Sequence, residues 1–353
     1  MFALHVLSLF VAPVKKKTVL LLFFFVLHYV IAVSATDFPL SNINLLFYFP
    51  YFLMYTYFIC DNSDKVKHWV IKHKKLIIST VQIWTVLVGV SIFNPNCYYI
   101  KEGGSLYFGS WCNDIFRLGP SAIFIQSLVI CLQVLRKDKF FLHYTIVPIY
   151  CVLMGSSRTY FLIGLCLFVI SWYIFCDSKK KFWLSALPLA AIFFVALYNS
   201  SMWDKIIYSL DSEGFGGFWF RFTSSRSELW AKDLAAWNEM PLINRLFGCG
   251  IDFTLDVSGK WGHNDYVELI CSFGIVGLVH YLYATFVLCH TTFQNIRLPF
   301  YIKVCVVLIW FFNAFFNMHY VYFCAMLCYP ILLVALELYQ PEENQNFIKI
   351  RFV

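Results

Sequence analysis

The chain has 353 residues, 60% of them hydrophobic and 13% charged, with a mean hydropathy of +0.69. Soluble domains carry about 25% charged residues, so a water-solvated globule is excluded and lipid is the expected solvent. The net charge of +7 does not point to nucleic acid, because most Lys and Arg fall in short clusters between apolar runs, a pattern that sets membrane topology.

A span needs about 20 apolar residues. Residues 1–14 are apolar but short and read as an interfacial segment; Lys15-Lys16-Lys17 follows them, which inverts the order of a cleaved signal peptide. Spans are predicted over 18–36, 40–60 (entered by a turn at Asp37-Phe38-Pro39), 76–94, 117–135, 140–155, 159–176, 182–199, 264–290, 303–317 and 320–338. Alternating these spans puts the clusters at 15–17, 65–75, 136–139 and 179–181, with Arg297 and Lys303, on one side. By the positive-inside rule that side is the cytoplasm. Both termini are then cytoplasmic, and the long polar loop 200–262 is outside. The expected fold is an all-α integral membrane protein of about ten transmembrane helices with one long periplasmic loop. It forms a single polytopic domain, 1–353, without a soluble domain or a repeat.

Most of the 13 cysteines lie inside apolar runs, where they behave as small apolar residues. No CxxC pair exists, so a zinc site is not expected. Cys97 and Cys112 share one outer loop and are placed to pair if that side is oxidising.

The informative charges are those on the outer side. Arg117 stands at the outer end of one span, and Arg158 follows Gly155-Ser156-Ser157 at the outer end of another. Such residues either snorkel to headgroups or hold an anion. Ser225-Arg226-Ser227-Glu228 fits the S-x-x-E capping box, predicting a helix that runs to Met240 and stops before Pro241. Arg226, Trp230, Leu234 and Trp237 are expected on one packed face of it. An arginine in the first turn sits beside free N–H groups and the positive dipole end, which suits phosphate. The alternative is an ordinary surface helix with an arginine at its rim.

His263 lies where the loop meets the span at 264–290. Gly274 and Gly277 follow 11 and 14 residues on, within about 40° of it on a continuous helix. That stripe would let another helix or a lipid chain approach closely. A neutral imidazole is a suitable general base near pH 7, with Asp265 or Glu268 to orient it; a structural histidine is the alternative.

Together these residues resemble a known family. His263-Asn264, nine residues, Gly274, two residues and Gly277 is similar to the signature of bacterial O-antigen ligases and the related O-antigen and capsule polymerases. Ser157-Arg158-Thr159 resembles that family's serine–arginine motif. Arg226 with Trp230, followed by Leu246-Phe247-Gly248-Cys249-Gly250, resembles its long-loop pattern. The resemblance covers 150–290. It implies a C-type glycosyltransferase-like membrane fold in the bacterial inner membrane. It also implies an enzyme without metal or cofactor, acting at the periplasmic face on an oligosaccharide carried by undecaprenyl diphosphate. By the same resemblance Arg158 and Arg226 would bind the donor diphosphate, with Arg221 a third candidate. His263 would take the proton of the acceptor hydroxyl, and Asn264, Gly274, Gly277 and Trp230 would support the site. Membrane lipids, a chain-length regulator and a flippase are the implied partners.

The chemistry agrees with the residue types. Arginines stabilise a leaving diphosphate without a metal, and an activated donor needs no glycosidase carboxylate pair. Asp252 and Asp256 are too widely spaced for a DxD-like metal motif. A repeat-unit polymerase and an O-antigen ligase acting on lipid A core would share these residues; the short, Phe-rich chain favours the polymerase. A polysaccharide or lipid transporter would place polar groups at the bilayer midplane of repeated halves, whereas the ionisable residues here gather in one loop.

Overall fold

The computed structural model describes residues 16–34, 63–100, 106–111, 115–136, 143–155, 157–176, 179–295, 297–317 and 323–339. Residues 1–14, the predicted span 40–60 and Cys112 lie outside them. The described residues are mostly helical. In chain order the helices are α1 (Lys16–Ser34), α2 (Ser63–Lys72), α3 (Lys74–Ile92), α4 (Ile115–Arg136), α5 (Ile146–Met154), α6 (Arg158–Cys176) and α7 (Lys179–Tyr198). Then come α8 (Ser201–Leu210), α9 (Gly214–Phe222), α10 (Arg226–Glu239), α11 (Leu242–Phe247), α12 (Phe253–Ser258), α13 (Asp265–Gln294), α14 (Phe300–Phe316) and α15 (Phe323–Leu338).

Among the described residues, five helices are long and apolar enough to cross a membrane: Lys74–Ile92, Leu118–Leu135, Arg158–Cys176, Lys180–Tyr198 and Asp265–Gln294. Three further apolar helices are shorter, His143–Met154, Phe300–Phe316 and Leu327–Leu338. Runs of Leu, Ile, Val and Phe take this form because a helix satisfies its own backbone where no water is present.

The core lies between α4, α6, α14 and α15, where Val129, Ile130, Ile163, Leu167, Val306 and Ala335 are fully buried. Polar side chains join two of these helices: Ser171 donates to Gln133 at 2.8 Å, and Gln126 donates to the Gly164 carbonyl at 3.3 Å. In contrast, the apolar stretch of α7 is almost wholly exposed, so that helix presents almost all its sides outward.

Two regions differ from expectation. The segment after α3 contains an antiparallel hairpin, β1 (Tyr98–Ile100) with β2 (Leu106–Phe108), registered Tyr99 opposite Tyr107. The fold is therefore not purely helical. The long loop is not irregular either, since 201–258 is built from five short helices, α8 to α12. They have their own small core of Trp230, Cys249, Phe253, Val267 and Cys271.

Candidate functional site

The site is framed by a break in α13. Gly274 takes φ 67° and ψ −172°, which is not helical, and the helix bends there. The expected glycine stripe on one continuous helix is thus corrected: Gly274 interrupts the helix rather than lining it. A break releases carbonyls, and buried carbonyls need donors. The Cys271 carbonyl accepts from the Cys249 N–H at 2.9 Å and the Ser272 carbonyl from the Gly250 N–H at 3.3 Å. The Phe273 carbonyl is 2.8 Å from His28 Nε2 on α1.

The Leu246–Gly250 run and Gly274 therefore belong to one construction. A β-carbon on Gly274 would lie 2.4 Å from the Leu246 carbonyl oxygen, and one on Gly248 would lie 2.1 Å from that of Ser272. Only glycine lets the two backbones approach so closely. Gly277 lies beside His28, whose Nε2 would be 3.3 Å from an added β-carbon.

Helix α10 begins at Arg226 and ends before Pro241, as its sequence predicts. Its capping differs. Ser225 has φ 66° and makes no side-chain cap, and instead the Thr223 hydroxyl accepts from the Ser227 N–H at 3.3 Å. The reason is the tight entry from α9, which turns Ser224 and Ser225 left-handed, where a capping box needs an extended N-cap. The buried face also differs: Trp230 and Asp233 are buried, whereas Leu234 is 37% exposed. Asp233 accepts from the Ser258 hydroxyl, and its other carboxylate oxygen is buried without a partner among the described residues. Burial pushes the Asp233 carboxyl above its usual range.

The three arginines fall in different places. Arg226 Nη1 donates to the Phe316 carbonyl at 2.7 Å, at the end of α14, and Thr159 donates to the same carbonyl at 3.3 Å. Arg158 spends its guanidinium on the loop helices. Nη1 donates to the carbonyls of Arg221 at 2.7 Å and Phe222 at 2.6 Å; Nη2 donates to the Lys205 carbonyl at 3.1 Å and the Ser209 hydroxyl at 2.8 Å. It thus ties α8 to the end of α9 and satisfies terminal carbonyls that the helix leaves open. Arg221 points elsewhere, donating to the carbonyls of Tyr208 at 3.0 Å and Asp211 at 2.5 Å and lying 4.7 Å over the Tyr208 ring. Arg226 is close enough to act electrostatically on both Arg158 and His263. Arg226 therefore lies near both Arg158 and His263, whereas Arg221 is turned towards the end of α8.

His263 stands just ahead of α13, with Asn264 as the N-cap, accepting from Tyr266 N–H at 2.9 Å and Val267 N–H at 3.2 Å. Its φ is 52°, a conformation that non-glycine residues adopt rarely and often at functional sites. Nδ1 is buried and makes no hydrogen bond among the described residues. Burial first, and then the Arg226 charge, pull the imidazole pKa down to about 4, so the ring is neutral at pH 7. Neither acid proposed to orient it bonds to it: Asp265 accepts from Tyr281 at 2.7 Å, and Glu268 accepts from Thr254 at 2.7 Å and the Gly262 N–H at 2.6 Å. Trp230 donates its indole N–H to the Gly262 carbonyl at 2.6 Å.

Sequence reasoning missed Asp233, Thr223 and His28. Asp233 was legible as the i+3 neighbour of Trp230; His28 had no signal, being 245 residues from its partner.

No protein-family model matches the chain, and no curated protein matches it.

Proposed function

We propose that the chain is a glycosyltransferase that elongates a lipid-linked glycan, using a donor carried on undecaprenyl diphosphate. The observation that carries this reading is a neutral imidazole, on a left-handed residue at the mouth of a broken helix, under the field of Arg226. The likeness of this residue set to the O-antigen polymerases and ligases supports it. In this reading the span pattern continues to about ten transmembrane helices of a C-type fold in a bacterial inner membrane, with cytoplasmic termini and the site on the periplasmic side.

The acceptor sugar hydroxyl attacks the anomeric carbon of the donor. The bond from that carbon to the diphosphate oxygen breaks, and His263 takes the hydroxyl proton. Arg226 carries the charge that grows on the departing undecaprenyl diphosphate. Arg158, already committed to α8 and α9, frames the phosphate side, and Arg221 holds the end of α8. Once the anion is bound, it offsets the Arg226 charge and makes His263 a stronger base.

The test gives purified protein undecaprenyl diphosphate repeat units alone and separates products by size. A ladder of lipid-linked oligomers, absent with His263→Ala and with Arg226→Ala at wild-type insertion, is the expected result. No ladder, but transfer once lipid A core is added, turns the reading from polymerase to ligase. Intact donor in both assays with folded protein overturns it.

A further inference from the structure

Resting on that reading, we infer that Glu268 is a positioning residue that holds His263 in its reactive pose without touching substrate. The backbone of His263 is pinned on both sides, and Glu268 supplies one contact to each. Its carboxylate accepts from the Gly262 N–H at 2.6 Å, one residue before the histidine. Its own N–H donates to the Asn264 carbonyl at 2.9 Å, one residue after; this is the first backbone bond of α13, which any residue at 268 makes, so the side-chain contact to Gly262 is the part particular to Glu268. The second carboxylate oxygen accepts from Thr254 at 2.7 Å, which anchors the clamp to α12. Glu268 is 0% exposed, so it acts through the loop and not on the sugar.

The clamp has no slack. The Gly262 carbonyl, in the next peptide, which joins Gly262 to His263, accepts from the Trp230 indole, so residue 262 is held at both its N–H and its carbonyl. A β-carbon on Gly262 would stand 3.2 Å from Trp230, 3.3 Å from Glu268 and 3.5 Å from Asp233. A left-handed residue keeps its conformation only where its surroundings enforce it. Here that enforcement converges on residue 262, held at its N–H by Glu268 and at its carbonyl by Trp230. Releasing it lets residue 263 relax to ordinary backbone angles and swings the imidazole off the acceptor hydroxyl.

The test measures kcat and KM for the lipid-linked donor in Glu268→Ala and Glu268→Gln, beside His263→Ala. A misplacement of about 1 Å costs about 100-fold in rate, so Glu268→Ala is expected to lower kcat by about 100-fold with KM unchanged. Glu268→Gln keeps an oxygen for the Gly262 N–H and is expected to stay within about tenfold of wild type. If Glu268→Ala fails to accumulate, Trp230→Phe releases the other contact on residue 262, at its carbonyl, while keeping an aromatic ring, and its kcat is expected to fall with KM unchanged. Wild-type turnover in Glu268→Ala, or a rise in KM with kcat unchanged, overturns the inference while the inactivity of His263→Ala leaves the parent reading standing. Full activity in His263→Ala overturns both.

Discussion

His263 sits where its protonation is hardest, between buried surroundings and the charge of Arg226. On the proposed glycosyl transfer with His263 as base, the acid limb of kcat/KM is expected near pH 4, with no inflection near 6.5; a pH titration of initial rates checks this. The sign for stability follows. The native imidazole binds fewer protons than the unfolded one, so this group costs stability only as pH falls from 6.5 towards about 4. Arg158 acts differently, because four strong acceptors from α8 and α9 share its guanidinium. Arg158→Ala is expected to cost on the order of 2–4 kcal/mol and to speed limited proteolysis between 201 and 222. Arg158→Lys loosens the same region, since one ammonium does not replace a planar fork. Both arginines were legible in the sequence as charges out of place. Their partners were not, because most are backbone carbonyls, which any residue supplies.

At the level of elements, the long apolar runs set helix ends that agree with the sequence to within a few residues, as at Lys74–Ile92 and Arg158–Cys176. Of the short elements in 201–258 only α10 was legible, from its capping box and Pro241; α8, α9, α11 and α12 escaped, having no sustained period to show them. The cap of α10 escaped for another reason: a capping motif assumes an extended approach, and α9 turns straight into α10 through a left-handed Ser225. The bend in α13 escaped because reading Gly274 by helical angle presupposes an unbroken helix. Its glycines now carry a sharp expectation. Gly248→Ala and Gly274→Ala each combine a positive φ with a backbone clash, and each is expected to destabilise the protein by about 2–4 kcal/mol in thermal unfolding. Gly89→Ala, inside α3 with nothing within 4 Å of the added carbon, is expected to stabilise the helix by about 0.5–1 kcal/mol.

Across the whole molecule, burial divides the helices into those that form the core and those that meet the surroundings. The exposed side of α7 is apolar, with Leu187 80% exposed near its middle. Leu187→Arg is expected to reduce membrane insertion by about 3 kcal/mol, read as the inserted fraction. Composition made this apolar exterior legible at once; which helices stand in the core was not, because α6 and α7 are both apolar runs long enough to cross a membrane. The contact between His28 and the Phe273 carbonyl joins residues 245 apart. During synthesis α1 is made long before its partner exists, and the bend in α13 is left with an open carbonyl until they meet. Assembly of the site is therefore a late event, completed only when the last third of the chain returns to the first helix. A chain cut between α1 and α2 and expressed as two pieces should recover activity only where both pieces share one bilayer, making the first helix a subunit in all but covalent connection.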